Sequence, residues 1–264
     1  MDRLIIIMPT HKSYLDVAAL SEQLYLKFWP KCPFKIILST NSTDCHFSLF
    51  KCFENAESDE YIRRIYNAAN SFDSDFYMII GEDNFVTYEI DEKLIYYTLD
   101  YMKHNNINYC RFIPPEKKKP DLIFTPIRRN KPYGITGAGF ICTKEYINKE
   151  MKENINGWAF ENEMLKETLS FTNHDYFSDY VAASQDILNT VHGIRHGMWI
   201  PSSYKLLKRL NPEFDFDVRP VAKEDFKYYI REKSGDLYKV LPTKTRYRIK
   251  KLLKKIGFRF ATDF

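Results

Sequence analysis

Three short apolar runs occupy the first third of the chain, and each ends at a turn-forming or charged residue. They are RLIIIMP from residue 3, FKIILST from residue 34 and FYMIIGE from residue 76. Short Ile-rich runs of this kind are typical of strands buried on both faces of a sheet. Helical patterns follow the first two runs, over 16–29 and 59–72. Strand alternating with helix predicts an α/β fold, with a mostly parallel central sheet flanked by helices.

The rest of the chain continues this alternation less regularly. Its pattern predicts a helix over 90–105, a strand from Tyr109, a strand after Gly139, a helix entered from a loop over 156–171, and a loop, a short helix and a final strand over 178–201. The glycine cluster over 134–139 lacks the Gly-Lys-Ser/Thr ending of a P-loop and the spacing of a dinucleotide fingerprint. It therefore favours a turn or a close backbone approach over a phosphate cradle.

The C-terminal stretch is strongly basic. Residues 244–259 contain eight Lys and Arg residues and no acid, and apolar residues recur there at helical spacing, which predicts a basic amphipathic helix. We therefore expect one domain over 1–220 and a helical extension over 221–264. The chain's net charge is +4, so the rest of the chain carries −4. Because a nucleic-acid-binding body is normally basic on its own surface, we expect no nucleic acid partner.

The cysteines and the N-terminus indicate a cellular location. Five scattered cysteines show no paired short spacing, which favours reduced structural thiols and the cytoplasm. The apolar run before Pro9 is too short for a signal peptide, and no run approaches the roughly 20 residues of a membrane span. We expect a protein that is neither secreted nor membrane-spanning.

Polar residues follow the carboxyl end of each of the first three strands, at the edge where open α/β sheets bind ligands. The most pointed case is Glu82, Asp83 and Asn84 after the third strand. Neighbouring carboxylates raise one another's pKa unless a positive group is present. Mg²⁺ and Mn²⁺ prefer oxygen ligands, and Mg²⁺ commonly joins one or two carboxylates to substrate phosphates. A solvated acidic turn that caps a helix is the alternative.

Four segments in this order resemble the GT-A glycosyltransferases. They are IIIMPTHKSYLD, RRIYNAANSFDSDFYMIIGEDN, GAGFICTKEYINKEMKENINGWAFENE and SQDILNTVHGIRHGMWIP, together spanning about residues 4–201. The resemblance is to family-two-like enzymes of bacterial surface polysaccharide synthesis. It implies a GT-A (Rossmann-like) sheet and sugar transfer from a nucleotide-sugar donor to an acceptor hydroxyl.

The resemblance also implies which residues bind the donor. These are Pro9, Thr10, His11, Asn41, Arg63, Asn67, Glu82 and Asp83. It implies Mn²⁺ or Mg²⁺ at Asp83 and Asn84. The family commonly has Asp at the third acidic position, whereas Asn84 brings no charge, so metal affinity would be weaker or Asp83 would be the main ligand.

An inverting transferase needs a carboxylate that takes the proton of the acceptor hydroxyl. The resemblance implies Asp186, which follows Ser184 closely and could instead serve a helix N-terminus. Glu161 and Glu163 are the rivals, and their spacing lets at most one face the site. The spacing of His192 and His196 matches helical zinc ligands, but the glycines that follow them argue against a helix and hence against zinc. One of these histidines, or Arg195, could instead reach the diphosphate, and packing or surface exposure is the favoured alternative for each.

The sequence therefore predicts an inverting glycosyltransferase that extends a lipid-linked glycan in capsule or O-antigen-type synthesis. A basic helix over 244–260 would hold it on the anionic inner face of the cell membrane, because each basic residue near such a surface contributes about 1 kcal/mol. A sugar nucleotidyltransferase is one alternative, although the usual Gly-rich basic loop after the first strand is absent. A non-catalytic membrane-associated adaptor with a decayed donor site is another.

Overall fold

Strands and helices alternate through most of the chain. The computed structural model describes residues 2–55, 60–113, 119–131, 133–152, 155–168, 171–172 and 174–223, together with Thr245, Arg248, Ile249 and Lys251. The strands are β1 (Asp2–Thr10), β2 (Lys35–Thr40), β3 (Lys51–Glu54), β4 (Ser74–Ile79), β5 (Asn84–Val86), β6 (Tyr109–Arg111), β7 (Phe124–Arg128), β8 (Phe140–Thr143), β9 (Tyr176–Ala183), β10 (Thr190–His192), β11 (Ile194–Arg195) and β12 (Met198–Trp199). The helices are α1 (Leu15–Phe28), α2 (Tyr61–Ser71), α3 (Glu92–His104), α4 (Lys144–Glu150), α5 (Gly157–Thr168) and α6 (Pro201–Leu210), with 3-10 turns at Lys12–Tyr14 and Phe216–Val218.

In the described part of the chain, eight strands form one sheet in the order β3-β2-β1-β4-β8-β6-β9-β7. The pairs β1–β2, β1–β4, β2–β3 and β6–β9 are parallel, whereas β8 and β7 run antiparallel to their neighbours. The predicted α/β fold with a mostly parallel central sheet is therefore confirmed. The carboxyl ends of the parallel strands meet at one edge.

The sheet is buried on both faces, as the continuous apolar runs predict. Alternate residues of β1 point to opposite sides, so Ile6 packs with Tyr25 of α1 and Leu99 of α3. Its neighbour Ile7 packs on the other side with Ile65 of α2 and the residues around it. Burial of a Leu- or Ile-sized side chain contributes about 1.5–3 kcal/mol, so these two layers stabilise most of the fold.

Two small two-stranded sheets pack against α1. β5 pairs antiparallel with β10, and β11 with β12. Phe85 of β5 packs tilted on Trp199, with ring centroids 6.0 Å apart, and Trp199 packs on Phe216 at 5.3 Å. These rings form a third apolar cluster with Val17 and other residues of α1. These two sheets fix the segment that directly follows the strand-end acids.

Short strands and one absent helix are the main differences from the sequence-based prediction. The pattern did not predict β3, β7 or β9. β3 and β7 are the half-exposed edge strands of the sheet and carry no continuous apolar run. The short helix expected after Ser184 is wrong, since the segment between β9 and β10 forms turns. Ser184 accepts a hydrogen bond from Ile123 N (2.8 Å) rather than capping a helix.

Cys45 and Cys52 form a disulfide between the loop after β2 and β3. The prediction of reduced thiols is therefore wrong for this pair and holds for Cys32, Cys110 and Cys142. Burial raises the pKa of Cys110 and Cys142, which suits a structural role. Because disulfides persist mainly in oxidising compartments, a cytoplasmic location no longer follows from the cysteines.

The proposed boundary at residue 220 falls within bonded structure, because Ala222 N still donates to Trp199 O (2.9 Å). The basic amphipathic segment over 244–260 lies outside the described residues apart from the four named above. Within the part that the structure describes, no helix combines the length and apolar character that crossing a membrane requires.

Candidate functional site

The site lies where the parallel strands end. β1 and β2 run in register to Thr10 and Thr40, and both threonines are fully buried. β4 runs beside β1 on the other side, and Ile80 N donates to Ile7 O at 3.1 Å. The chain then leaves the sheet through Gly81. This register brings the polar segments after three strands to one edge, as the sequence predicts.

Glu82 and Asp83 lie half-buried in a tight turn, in which Asn84 N donates to Gly81 O at 3.1 Å. A Cβ on Gly81 would lie 2.8 Å from Asn84 Nδ2 and 2.9 Å from Asp83 Oδ1, so glycine lets these two side-chain ends lie close to the backbone of the turn. Burial raises the pKa of Glu82, and the charge of Asp83 raises it further. Burial also raises the pKa of Asp83. Two carboxyls with raised pKa values form a place suited to a cation.

His192, which the sequence analysis rejects only as a zinc ligand, faces these acids. The β5–β10 pairing places His192 opposite Asn84, and Gly193 N donates to Asp83 O at 2.8 Å. His192 Nδ1 consequently lies 3.6 Å from Asp83 Oδ2, and its charge opposes the rise in the pKa of Asp83. Asn84 is buried, and its Nδ2 donates to Asp83 Oδ1 at 3.3 Å.

The residues present fit a divalent cation of the Mg²⁺ type. Such ions commonly use one or two carboxylates and take further oxygen ligands from substrate phosphates and water. Asp83 with either Asn84 or His192 could provide the protein side of that set. No group of three or more His, Cys, Asp or Glu side chains with metal-binding geometry occurs among the described residues. His196 belongs to the tight β11–β12 turn, where its φ is 52° and that of Gly197 is 76°.

Gly193 has no room for a side chain beside the acids. A Cβ there would lie 2.2 Å from Cε2 of the buried ring of Phe85. We expect Gly193→Ala to lower the free energy of unfolding by about 1–3 kcal/mol, the usual cost of overpacking. Denaturant unfolding measures this loss. Gly137→Ala is the matched control, since its Cβ would meet nothing closer than 3.5 Å, and an equal loss in both variants would contradict the role of Phe85.

Helix α2 places a different arginine from the predicted one beside the acids. Arg64 is buried, with 3% of its surface exposed, and its charge lowers the pKa of Glu82. Arg63, which the sequence analysis selected, lies with its guanidinium 5.5 Å from the ring of Tyr66. Adjacent helical positions differ by about 100° in direction, so only one of the two can face the sheet edge. The burial of Ile65 and Ala68, on the same side of α2 as Arg64, is the signal that would have selected it.

Asn67 belongs to a hydrogen-bonded chain beneath the site. Its Nδ2 donates to Asn55 Oδ1 (2.9 Å), and Asn55 Nδ2 donates to Ser39 Oγ (2.7 Å). Ser39 Oγ donates to Arg64 O at 2.9 Å. This chain ties α2 to the ends of β2 and β3. Asn67 therefore helps to hold α2 against the carboxyl edge of the sheet.

Two predicted donor residues shape the loop after β1. Asn41 Oδ1 accepts from Lys12 N at 2.8 Å, which joins the ends of β1 and β2. His11 Nδ1 accepts from Ser13 N at 3.2 Å and caps the 3-10 turn. The side chains of both residues therefore hold the backbone of this loop in place.

Glu161 of α5 approaches the same edge from the other half of the sheet. Its Oε1 accepts a hydrogen bond from Gly137 N at 2.9 Å, and burial raises its pKa. Burial raises the pKa of Tyr61 of α2, and the charges of Glu82, Asp83 and Glu161 raise it further. Glu163, in contrast, is exposed. The two rival glutamates therefore lie in different surroundings, and only Glu161 is grouped with the strand-end acids.

Two glycines, Gly157 at the start of α5 and Gly139 before β8, allow close contacts that a side chain would block. A Cβ on Gly157, at the start of α5, would lie 2.9 Å from Cδ1 of Tyr61. Gly139 has a φ of +78°, and a Cβ there would lie 2.4 Å from Cβ of Ile113. The glycine cluster therefore serves turns and close backbone approach, as the sequence analysis favoured.

The carboxylate of Asp186 accepts hydrogen bonds from residues of the same loop, between β9 and β10. Its Oδ1 accepts from Leu188 N (3.0 Å), and its Oδ2 accepts from both Thr190 N and Thr190 Oγ1 (2.7 Å each). Its charge adds to the effect of burial and of Cys32 in raising the pKa of Tyr25, which lies on the α1 side of the sheet. Glu161 therefore acts electrostatically on the same tyrosine as the strand-end acids, whereas Asp186 acts on Tyr25.

Neither a protein-family model nor a curated protein matches this sequence. Among solved structures, S. aureus TarS 1-349 in complex with UDP-GlcNAc is 12% identical with a TM-score of 0.44, covering 81% of this chain and 67% of that one. A cytidylyltransferase from Leptospira borgpetersenii is 11% identical, with a TM-score of 0.45 and 89% and 96% covered. The bifunctional IspDF from Campylobacter jejuni is 14% identical, with a TM-score of 0.34 and 61% of this chain covered. This chain spans 47% of IspDF, about half its length.

Proposed function

We propose that the chain is a GT-A-type glycosyltransferase, which moves a sugar from a nucleotide-sugar donor to an acceptor hydroxyl. The observation that carries this proposal is the half-buried pair Glu82 and Asp83 at the carboxyl edge of a parallel sheet. Both carboxyls have raised pKa values and both have cationic groups nearby. Such an arrangement is costly in the free protein, and a cation-bridged diphosphate would relieve it.

Asp83 would hold Mg²⁺ or Mn²⁺, with Asn84 or His192 beside it. The metal, when bound, would neutralise charge that develops on the departing diphosphate. Arg64 lies close enough to lower the pKa of Glu82 and would add fixed positive charge to the donor side. Glu82 would contact the ribose or the diphosphate.

Glu161 is the better-placed candidate for the base that takes the acceptor proton. A general base works best with a pKa near the operating pH, and burial raises that of Glu161. Its bond to Gly137 N holds one carboxylate oxygen, Oε1, in place. Asp186 stays the alternative, although its two oxygens already accept three hydrogen bonds within its loop.

A sugar nucleotidyltransferase is the second candidate, because its donor is also a nucleotide on a similar sheet edge. That reaction needs cationic groups in the loop after β1 to bind the triphosphate. Here the loop contains Lys12, but His11 and Asn41 fix its backbone by accepting from Ser13 N and Lys12 N. The loop also lacks the Gly-rich basic sequence that nucleotidyltransferases usually carry after the first strand, and this absence favours sugar transfer.

The wild-type protein should bind a nucleoside diphosphate more tightly with Mn²⁺ than without it, and should hydrolyse one nucleotide-sugar slowly in the absence of acceptor. Calorimetry with UDP, GDP, CDP and ADP, followed by release assays on the matching nucleotide-sugars, measures both. Formation of a nucleotide-sugar and pyrophosphate from a sugar phosphate and a nucleoside triphosphate would favour the nucleotidyltransferase instead. Absence of binding to all four diphosphates would favour the adaptor.

The finer assignments are also proposals. The family resemblance supports an inverting reaction, a lipid-linked acceptor and capsule or O-antigen-type synthesis. The basic amphipathic pattern over 244–260 supports attachment to the inner face of the cell membrane. Such a pattern suits an anionic lipid surface. Co-sedimentation of the full chain with anionic and neutral vesicles tests the membrane assignment, and equal recovery with both would contradict it.

A further inference from the structure

We propose that Arg219 is a positioning residue that clamps residues 11–16, which form the loop and 3-10 turn after β1 and the first two residues of α1, in the conformation that receives the nucleotide. The catalytic meaning of this clamp rests on the proposed function. Arg219 lies more than 200 residues from the loop it holds, and no sequence pattern pointed to it. Arg219 belongs to the segment that follows α6.

Arg219 contacts the loop through three neighbouring residues. Its Nε donates to Asp16 Oδ2 and its Nη2 to Asp16 Oδ1, both at 2.6 Å. Nη2 also donates to the carbonyl of Ser13. The guanidinium carbon lies 4.3 Å from the ring centroid of Tyr14. A two-point guanidinium–carboxylate contact combined with ring stacking fixes orientation as well as distance.

The clamp is largely buried and held on both sides. The side chain of Arg219 is 12% exposed and that of Asp16 is 30% exposed. On one side, Phe216 is buried in the third apolar cluster, and its carbonyl accepts from Trp199 Nε1 at 3.0 Å. On the other side, Pro220 O accepts from Trp199 N at 2.9 Å. Arg219 therefore extends from a fixed backbone rather than from a free loop.

The clamped loop borders the strand-end acids. Burial raises the pKa of Tyr14, Arg219 opposes this rise, and the charges of Glu82 and Asp83 add to it. Glu82 likewise acts on Arg219, whose pKa is raised first by its bonds to Asp16. The parallel register of β1 with β4, with Ile80 N donating to Ile7 O at 3.1 Å, brings the segment after Thr10 to the same sheet edge as these acids. A loop ordered before binding spares the ligand the cost of ordering it, and affinity rises accordingly.

The role requires arginine rather than any cation. Lysine at 219 would keep the positive charge, but it has no planar fork for both oxygens of Asp16 and stacks less well on Tyr14. Arg219→Lys therefore separates orientation from charge. Arg209 is the matched control, because it is an exposed arginine of α6 in the same part of the chain.

The experiment compares wild type, Arg219→Lys and Arg209→Lys in the full chain. Calorimetry measures the affinity for the nucleoside diphosphate, initial rates measure KM and kcat for the donor, and hydrogen exchange measures the amides of 11–16. We expect Arg219→Lys to weaken diphosphate binding and raise the donor KM by about tenfold, equivalent to about 1.4 kcal/mol, with kcat within about twofold. Amides of 11–16 should exchange faster in the free protein. Arg209→Lys should match wild type throughout.

Three results would overturn the proposal. Unchanged exchange in 11–16 would show that Arg219 does not order the loop. Faster exchange with unchanged diphosphate affinity would leave Arg219 a structural residue only. If wild type binds no diphosphate at all, the proposed function fails first, and the positioning role fails with it, whatever the exchange rates show.

Discussion

Replacing Asp83 with Asn is expected to weaken binding of the nucleoside diphosphate and Mn²⁺ by at least about 30-fold, because removing one charged partner of a close ionic contact costs roughly 2–5 kcal/mol. The substitution keeps the size of the side chain and an oxygen that can still accept from Asn84 Nδ2. It removes the charge that would attract a cation. Calorimetry with and without Mn²⁺ measures the loss.

The same substitution is expected to stabilise the free protein near neutral pH. Burial raises the pKa of Asp83, so the folded carboxyl holds its proton to higher pH than the unfolded one, whose pKa is about 3.9. Between those two pKa values the folded state binds more protons, and wild-type stability falls as pH rises. The amide that replaces this carboxyl has no such proton to lose. The variant should therefore unfold at a higher denaturant concentration than wild type at pH 7.

Asp73→Asn is the matched control, because Asp73 is an exposed aspartate just before the other end of β4. It should change neither the diphosphate affinity nor the pH dependence of stability. A loss of binding accompanied by a loss of stability in Asp83→Asn would point to a structural carboxylate. Normal Mn²⁺-dependent binding in that variant would remove Asp83 from the donor site.

The central strands could be predicted because their burial on both faces leaves a continuous apolar record in the sequence. β1, β2 and β4 each show it, and their partners in the sheet follow from the alternation with α1 and α2. The edge strands β3 and β7 leave no such record, since half of their residues face solvent. The disulfide between Cys45 and Cys52 could not be predicted either, because it depends on how the loop after β2 returns along β3.

The site was predictable in part for the same reason. Glu82 and Asp83 were identified because they directly follow a predicted strand in a parallel sheet. Choosing between Arg63 and Arg64 needed the phase of α2 relative to the sheet, which depends on packing with Ile65. His192 was underestimated because its approach to Asp83 arises from the antiparallel pairing of β5 with β10, a contact between segments far apart in sequence.

The two halves of the sheet contribute different groups to one edge. The parallel half supplies the strand-end acids, and the half containing β8 supplies Gly137 and, through α5, Glu161. Tyr61 lies where the two halves meet, since the charges of all three carboxyls act on it. Under the proposed function, this arrangement would separate a donor side from an acceptor side. It implies that a change at Glu161 should affect turnover without affecting donor affinity.

Glu161→Gln is therefore expected to lower kcat by about 10²–10⁴-fold, the usual contribution of a general base, while leaving diphosphate affinity within about twofold. The glutamine oxygen can still accept from Gly137 N, so the backbone around α5 should be retained. Because a base must be deprotonated and burial raises the pKa of Glu161, wild-type kcat should rise with pH through a pKa above the usual value of about 4.3. The variant should lack this rise. Steady-state rates over a pH series measure both effects.

Asp186→Asn provides the matched comparison, because Asp186 is the other carboxylate that could serve as the base. An amide at 186 would lose part of the set of bonds from Leu188 and Thr190, so we expect a loss of about 1–3 kcal/mol in stability, as for other buried hydrogen bonds. Turnover per folded molecule should stay near the wild-type value. The opposite pattern, in which Asp186→Asn is folded and inactive while Glu161→Gln retains turnover, would assign the proton transfer to Asp186 and place the acceptor on the α1 side of the sheet.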